Sequence, residues 1–196
     1  MAARDEILAA LRKGAREAPL PDVSKLGAPV DDVAAAFARS LEAVAATLVR
    51  VADRAAASRA LAELPVWRDA KRKVSIVPGL GSSDLDLAAI ADPHELEGVD
   101  VAVLPGTLGV AENGCIWLDG AALRHRALFV IAEHIVLVLA AADLVADMHQ
   151  AYARLVTSAP GYGTFISGPS KTADIEQALV IGAHGARSCT VILVQS

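Results

Sequence analysis

Two short apolar segments decide the fold: KVSIVPG at 73–79 and GVDVAVLPG at 98–106. Each segment is rich in valine and ends in a Pro-Gly pair. A continuous apolar run that is closed by turn residues is typical of a strand buried on both faces of a parallel sheet. Because both runs end in the same Pro-Gly pair, we expect the loops that follow the two strands to lie at one edge of such a sheet.

Helical segments precede these strands. Apolar residues recur every three or four positions over 33–48, and Asp31 or Asp32 can cap that helix. The segment TLVRV at 47–51 is predicted to be a short strand, because threonine and valine dominate it. A further Ala-rich helix is predicted over 53–64, ending before a proline.

The second half of the chain is predicted to be mixed. From 107 onward the polar breaks between apolar runs are short, which predicts an antiparallel meander through LGVAENGCIWLDG, ALFVIAE and HIVLVLA. A long helix is then predicted over 141–156, a strand at GTFIS, a helix from Thr172 to about 183, and a last strand at 189–194. Helices that alternate with buried strands indicate a three-layer α/β fold with a mixed sheet.

The chain of 196 residues is long enough for one domain with its own core. Residues 1–29 are predicted to be an N-terminal helical arm and a proline-containing linker, and residues 30–196 an α/β domain. The apolar fraction of 54% is high for this length. Some of that apolar surface is expected to cover a subunit interface, with residues 1–18 packing on a neighbouring copy, so we predict a homo-oligomer.

Composition and motifs argue against several partners and cofactors. The net charge of −5 gives no reason to expect nucleic acid. Cys115 and Cys189 match no zinc or iron–sulfur spacing and are interpreted as small buried hydrophobic residues. With no G-x-G-x-x-G fingerprint either, we predict no metal and no cofactor. The longest uncharged apolar run, 135–142, is too short to cross a bilayer, and the N-terminal segment is predicted to be an amphipathic helix and not a signal peptide. A cytoplasmic location is therefore expected.

The stretch FISGPSKTADIE at 165–176 follows a predicted strand with unusual polar density. One interpretation is local: Thr172 caps a helix whose first turn is acidic, and Lys171 projects freely from the loop. The other is a site for a small carboxylate or another anion at a strand-to-helix junction. The candidate ligand-binding residues in this stretch are Ser167, Gly168, Ser170, Lys171, Thr172 and Asp174.

Two further polar groups interrupt apolar runs. Glu112, Asn113 and Gly114 form either a hairpin turn or a carboxylate held at a sheet edge, where Glu112 is a candidate nucleophile or acid–base group. Glu133 and His134 lie between two predicted strands, and His134 is a second candidate catalytic residue that can orient Glu112 or a ligand. Asn113 and Gly114 are counted as candidate ligand-binding residues. We expect Glu112 and His134 to face the anion site across one pocket.

The C-terminal segment carries a family resemblance. ISGPSKTADIE followed by QALVIGAHGARSCTVILV closely resembles the C-terminal signature of the LUD-domain, or lactate-utilisation protein C, family. The resemblance covers roughly 30–196. It is looser at 109–117, where many members carry an AETGT-like sequence and this chain has AENGC.

The resemblance implies a three-layer fold like that of the NagB, ribose-5-phosphate isomerase and CoA-transferase group. It also implies an accessory role in oxidising L-lactate to pyruvate beside iron–sulfur and FAD-linked partner proteins. An alternative comes from the same fold group, in which CoA transferases use the glutamate of a Ser-Glu-Asn-Gly turn to attack an acyl-CoA. Residues 111–114 match three of those four positions, which implies a small-molecule enzyme of CoA-transferase or cyclo-ligase type that uses Glu112. Such an enzyme needs Glu112 and Lys171 to converge on one pocket.

Overall fold

The computed structural model describes residues 3–14, 30–121, 123–155, 161–175 and 178–195. The helices are α1 (Ala3–Gly14), α2 (Val33–Ala43), α3 (Arg54–Glu63), α4 (Pro65–Arg68), α5 (Leu128–Ile131) and α6 (Met148–Arg154), with 3₁₀ turns at Pro93–Leu96 and Ala141–Asp143. Within the described ranges, every helix is too short or too polar to span a bilayer.

The central sheet has five strands in the order β1-β11-β6-β3-β2, and every neighbouring pair is parallel. These strands are β1 (Thr47–Val51), β2 (Lys73–Ser75), β3 (Val101–Pro105), β6 (His134–Ala140) and β11 (Ser188–Val194). Lys73 pairs with Val101, so the two segments that end in Pro-Gly are neighbouring parallel strands. The prediction that both reach one edge of a parallel sheet is confirmed.

A second sheet has four strands in the order β7-β4-β5-β8, and a separate hairpin follows it. The strands of the second sheet are β4 (Leu108–Val110), β5 (Ile116–Asp119), β7 (Leu144–Val145) and β8 (Gly163–Ile166), and those of the hairpin are β9 (Lys171–Ile175) and β10 (Ala178–Ile181). The predicted mixed α/β class is confirmed. The antiparallel pairs are β4–β5, β5–β8 and β9–β10.

Apolar side chains on alternate positions of the central strands form two cores. One core joins the sheet to α2 and to the second sheet, and it includes Phe37, Leu104 and Ile116. The other joins the opposite face to α3 and α4, and it includes Leu61 and Val103. The molecule therefore has three layers, with the parallel sheet in the middle.

The predicted meander is wrong beyond the β4–β5 hairpin. ALFVIAE contains the short helix α5, and HIVLVLA is the central strand β6, parallel to both β3 and β11. Most residues of β6 are buried, because strands cover both its edges and packed layers cover both its faces. A nearly continuous apolar run suits a central parallel strand better than a half-exposed antiparallel one.

The predicted long helix over 141–156 is also wrong. Its first part is a 3₁₀ turn followed by β7, which pairs with Gly109 and Val110. Within the described part, 141–155, α6 is the only α-helix, and it begins after Asp147, whose carboxylate accepts a hydrogen bond from the Gln150 N–H at 2.8 Å. Pairing with β4 buries Val145, and this tertiary gain overrides the helical spacing of the apolar residues.

The predicted helix from Thr172 to about 183 is a β-hairpin. Thr172 lies in β9 opposite Val180 of β10, so it is not a helix N-cap. The base of the hairpin is closed by two backbone hydrogen bonds of Ser170, whose N–H donates to Ala186 and whose carbonyl accepts from Gly182. These bonds tie the hairpin to the segment that leads into β11.

Candidate functional site

Several predicted ligand-binding residues meet at the C-terminal end of α2. The Ser167 hydroxyl donates to the Asn113 carbonyl oxygen at 2.9 Å. The Lys171 ammonium donates to the carbonyl oxygen of Val44, the residue that ends α2. The structure thus brings the 111–114 turn and the 167–171 segment together, although they are far apart in sequence.

Gly114 and Gly168 allow this close approach. Both have left-handed backbone φ angles, +69° and +75°. A Cβ at Gly114 would lie 3.1 Å from the Ser40 backbone, and one at Gly168 would overlap the Val44 carbonyl oxygen. Both glycines therefore serve the packing of two loops against the end of α2, and this packing accounts for their identity without a ligand.

Lys171 completes the C-terminal end of α2. A helix ends with unpaired carbonyl groups and a partial negative charge, and a lysine ammonium satisfies both. The segment 165–176 thus does cap a helix, but it caps the C-terminus of α2 through Lys171 and not its own N-terminus through Thr172. Of Asp174, the structure shows only that it lies in β9.

Replacing Lys171 with methionine is expected to lower the free energy of unfolding by about 1 kcal/mol, because the Val44 carbonyl loses its donor. Chemical denaturation of the two proteins measures this. The matched control is Lys71→Met, because the Lys71 hydrogen bond comes from its backbone N–H and survives the change. Equal losses for both variants would contradict the capping role of Lys171.

Glu112 lies at the tip of the β4–β5 turn. Its Oε2 accepts a hydrogen bond from the Met148 N–H at 2.9 Å, and its backbone N–H donates to the Ala146 carbonyl. The Asn113 side chain accepts from the Cys115 N–H at 3.0 Å and stabilises the turn. Glu112 is exposed, so one carboxylate oxygen contacts the start of α6 while the group remains accessible to solvent.

A cleft of about 420 Å³ lies between the Glu112 turn and α2. Its lining residues are Val30, Ala36, Arg39, Ser40, Ala43, Ala111 and Glu112. The Ser40 hydroxyl is already used, because it donates to the Ala111 carbonyl at 2.6 Å. Among the described residues, none forms a hydrogen bond or ion pair with Arg39. The cleft therefore presents one guanidinium and one carboxylate against small apolar side chains.

His134 does not line the cleft beside Glu112. It begins β6, and its Nδ1 is 2.8 Å from the Ser188 hydroxyl oxygen on β11. It borders a second cleft, of about 410 Å³, whose lining residues are Pro65, Val66, Asp69, Ala70, Lys71, Asp100, Glu133 and His134. The two clefts share no residue, so the expectation that Glu112 and His134 face one pocket is wrong. Because β6 is parallel to β3, His134 lies beside Asp100, at the amino ends of the central strands.

The second cleft is mainly acidic. The Asp100 carboxylate accepts hydrogen bonds from the backbone N–H groups of Arg72 and Lys71, which hold its pKa below the usual value. Glu133 is paired with Arg187 at 2.6 Å. Asp100 is therefore ionised at neutral pH, and this cleft suits a small carboxylate less well than the cleft beside Arg39.

Neither cysteine readily ionises to a thiolate. Burial raises the pKa of Cys115, and it raises the pKa of the more deeply buried Cys189 to about 12. A protonated thiol is neither a strong nucleophile nor a ready metal ligand. In the parts of the chain that the structure describes, no group of three or more His, Cys, Asp or Glu side chains is arranged to hold a metal ion.

The LUD domain family model matches residues 93–194, which include the Glu112 turn, β6, the β9–β10 hairpin and β11. This match covers just over half of the chain. The chain belongs to the LUD domain family. The recognition of that family from the C-terminal signature is thus confirmed.

Several curated relatives of this LUD domain chain share one name, and another carries a different one. It is 33% identical over 107 residues to "Lactate utilization protein C" of Shouchella clausii, covering 52% of this chain and 46% of that protein. It is 30% identical over 107 residues to "Uncharacterized protein YkgG" of Escherichia coli, with the same coverage of 52% and 46%. The chain thus spans about half the length of the curated relatives it matches.

A solved structure supports the fold. The crystal structure of a DUF162 family protein from Deinococcus radiodurans aligns with a TM-score of 0.59 at 18% identity, covering 90% of this chain and 99% of that chain. At this identity the likeness shows the fold alone.

Two residues have no sequence signal that links them to these clefts: Arg39, which lines the first cleft, and Ser188, which contacts His134 of the second. Arg39 is one charged residue on the polar side of a predicted helix, and nothing in its spacing links it to Glu112. Ser188 directly precedes the last predicted strand, 54 residues from His134. Pairing of β11 with β6 brings Ser188 opposite His134, and the sequence shows that register only once β6 is known to be parallel.

Proposed function

We propose that this LUD domain chain is an accessory component of L-lactate utilisation. In this proposal it binds the 2-hydroxy acid and acts beside iron–sulfur and flavin-linked oxidoreductase partners that carry the electrons. The observation that carries the proposal is the cleft with Arg39 and Glu112, which offers complementary groups to a small hydroxy acid. Six curated relatives named for lactate utilization support the choice of ligand.

The chemistry of the cleft fits lactate in three ways. A guanidinium binds a carboxylate through two parallel hydrogen bonds, and Arg39 is available for this. The Glu112 oxygen that does not contact Met148 can accept a hydrogen bond from the lactate hydroxyl group. The methyl group of lactate then contacts the small apolar residues Ala36 and Ala43, which also line the cleft.

The alternative, an enzyme that uses Glu112 as nucleophile, receives less support from the geometry. It requires the Lys171 ammonium to reach the same cleft as Glu112. That ammonium instead contacts the Val44 carbonyl, and Lys171 does not line the cleft. We therefore propose a binding role for Glu112.

The proposal retains three expectations from the sequence. Residues 30–196 are proposed as the LUD unit, with a fold of the NagB and CoA-transferase type. Of the predicted N-terminal arm and linker at 1–29, the structure describes 3–14, and the predicted linker lies outside the described residues. The chain acts in the cytoplasm. It assembles as a homo-oligomer through its N-terminal residues.

Deletion of the gene tests the role. We expect the deletion strain to lose growth on L-lactate as sole carbon source, to keep growth on pyruvate, and to recover when the gene is restored. Pyruvate is the matched control because it enters metabolism after the oxidation step. Normal growth of the deletion strain on L-lactate would show that the proposed function is wrong.

A further inference from the structure

The hydrogen-bond donors beside Glu112 in its cleft are already used. The Ala111 N–H donates to the Val145 carbonyl oxygen at 2.9 Å. The Glu112 N–H donates to the Ala146 carbonyl oxygen, also at 2.9 Å. The Ser40 hydroxyl, which lines the same cleft, donates its proton to the Ala111 carbonyl at 2.6 Å. The side of the cleft that the Glu112 turn forms therefore presents acceptors to a ligand.

The Glu112 carboxylate is the main acceptor there, and it is held in one orientation. Its Oε2 accepts from the Met148 N–H at 2.9 Å, whereas its Oε1 forms no hydrogen bond with any residue that the structure describes. An ionised carboxylate accepts hydrogen bonds and does not donate them. A ligand group that meets this free oxygen must therefore be a donor.

Lactate and its oxidation product pyruvate differ in this respect alone. Both are monoanions of three carbons, so the contacts described above with Arg39, Ala36 and Ala43 are the same for each. The hydroxyl group at C2 of lactate can donate to Glu112, whereas the oxo group at C2 of pyruvate can only accept. A difference in their affinities must therefore arise at Glu112.

We propose that Glu112 makes the cleft selective for the oxidation state of the ligand at C2. The cleft binds a 2-hydroxy acid and binds the corresponding 2-oxo acid more weakly, because two acceptors that face each other repel and leave the carboxylate without a partner. This inference rests on the proposed function and adds a specificity-determining residue to it. The consequence is that the oxidised product leaves the cleft more readily than the substrate.

NMR titration of the full chain at neutral pH with L-lactate and with pyruvate tests the selectivity. The unaltered chain should bind L-lactate about tenfold or more tightly than pyruvate, which is the loss expected for a hydrogen bond to a charged group.

The decisive variant is Glu112→Gln. The Met148 N–H requires an acceptor, so the glutamine carbonyl oxygen should stay on it and the amide NH₂ should face the cleft. That NH₂ can donate to the hydroxyl oxygen of lactate and to the oxo group of pyruvate, so the ratio of the two affinities should fall to within about twofold of one. The loss of one negative charge favours both anions equally, and the ratio is therefore the quantity to compare.

Glu42→Gln is the matched control. Glu42 is an exposed glutamate on α2 that does not line the cleft, so the same change of charge there should leave the ratio as it is in the unaltered chain. Because Glu112 is exposed as well, both variants should keep the thermal unfolding midpoint.

The outcomes separate this inference from the proposed function. If the unaltered chain binds L-lactate and pyruvate equally, or if Glu112→Gln keeps the preference for L-lactate, the selectivity assigned to Glu112 is wrong while the lactate site stands. If the unaltered chain binds neither anion, the proposed function fails and this inference fails with it.

Discussion

Replacing Gly168 with alanine is expected to lower the free energy of unfolding by about 3 kcal/mol or more. Two costs combine in this variant. The backbone φ of +75° disfavours any residue with a Cβ, and that Cβ would overlap the Val44 carbonyl oxygen. The loop that carries Ser167 and Lys171 must then move away from the end of α2. Equilibrium unfolding in urea measures the loss.

Gly79→Ala is the matched control for this prediction. Gly79 has a φ of +70°, but a Cβ there would meet no atom within 4 Å. Alanine at 79 should therefore cost only the backbone strain, about 1–2 kcal/mol. If the two variants lose the same stability, the contact of Gly168 with Val44 does not contribute, and the account of this loop is wrong.

Replacing Arg39 with methionine is expected to abolish complementation of the deletion strain on L-lactate and to weaken L-lactate binding by about tenfold or more. A hydrogen-bonded charged group contributes roughly 1.5–3 kcal/mol, and methionine keeps the apolar stem without the guanidinium. Arg39 is exposed, so the stability of the fold should change little. Growth on L-lactate and the unfolding midpoint together separate the two effects.

Arg59→Met is the control for the Arg39 variant. Arg59 is an exposed arginine on α3, which packs on the opposite face of the central sheet from α2. The Arg59 variant should support growth on L-lactate like the unaltered protein. If the Arg39 variant also supports normal growth, the use of L-lactate does not depend on this cleft.

The strands of the central sheet could be predicted from the sequence because each carries its own signal, although the parallel position of β6 between β3 and β11 could not. Runs such as 101–105 are apolar at nearly every position and end in turn residues, which is typical of strands buried in a parallel sheet. Local caps were also predictable, since Asp32 and Asp53 act through neighbours three residues away.

The hairpin at 171–181 could not be predicted because its sequence also fits a helix. TADIEQALVI combines good helix formers with an acidic start, and only cross-strand pairing and the two hydrogen bonds of Ser170 select the strands. Tertiary contacts of this kind leave no periodic signal in the sequence. The same limit applies to β7, which depends on its pairing with β4.

The candidate site was predictable only in part. Glu112 stands out because it interrupts an apolar run, and the structure does place it beside a cleft. Its partner there, Arg39, is brought to the cleft by the packing of α2 and not by any motif. The anion site expected at Lys171 is instead the C-terminal end of α2, because the sequence could not show which carbonyl the ammonium would meet.

NMR titration of the purified, isotope-labelled chain with L-lactate tests the central claim most directly. We expect millimolar L-lactate to shift the backbone amide signals of Ala36, Arg39 and Glu112, and the Arg39→Met variant to lose these shifts. Propionate, which lacks the hydroxyl group, should bind more weakly than L-lactate because it leaves Glu112 without a partner. Shifts confined to the cleft beside His134, or no saturable shifts at all, would contradict the claim that this LUD domain holds lactate between Arg39 and Glu112.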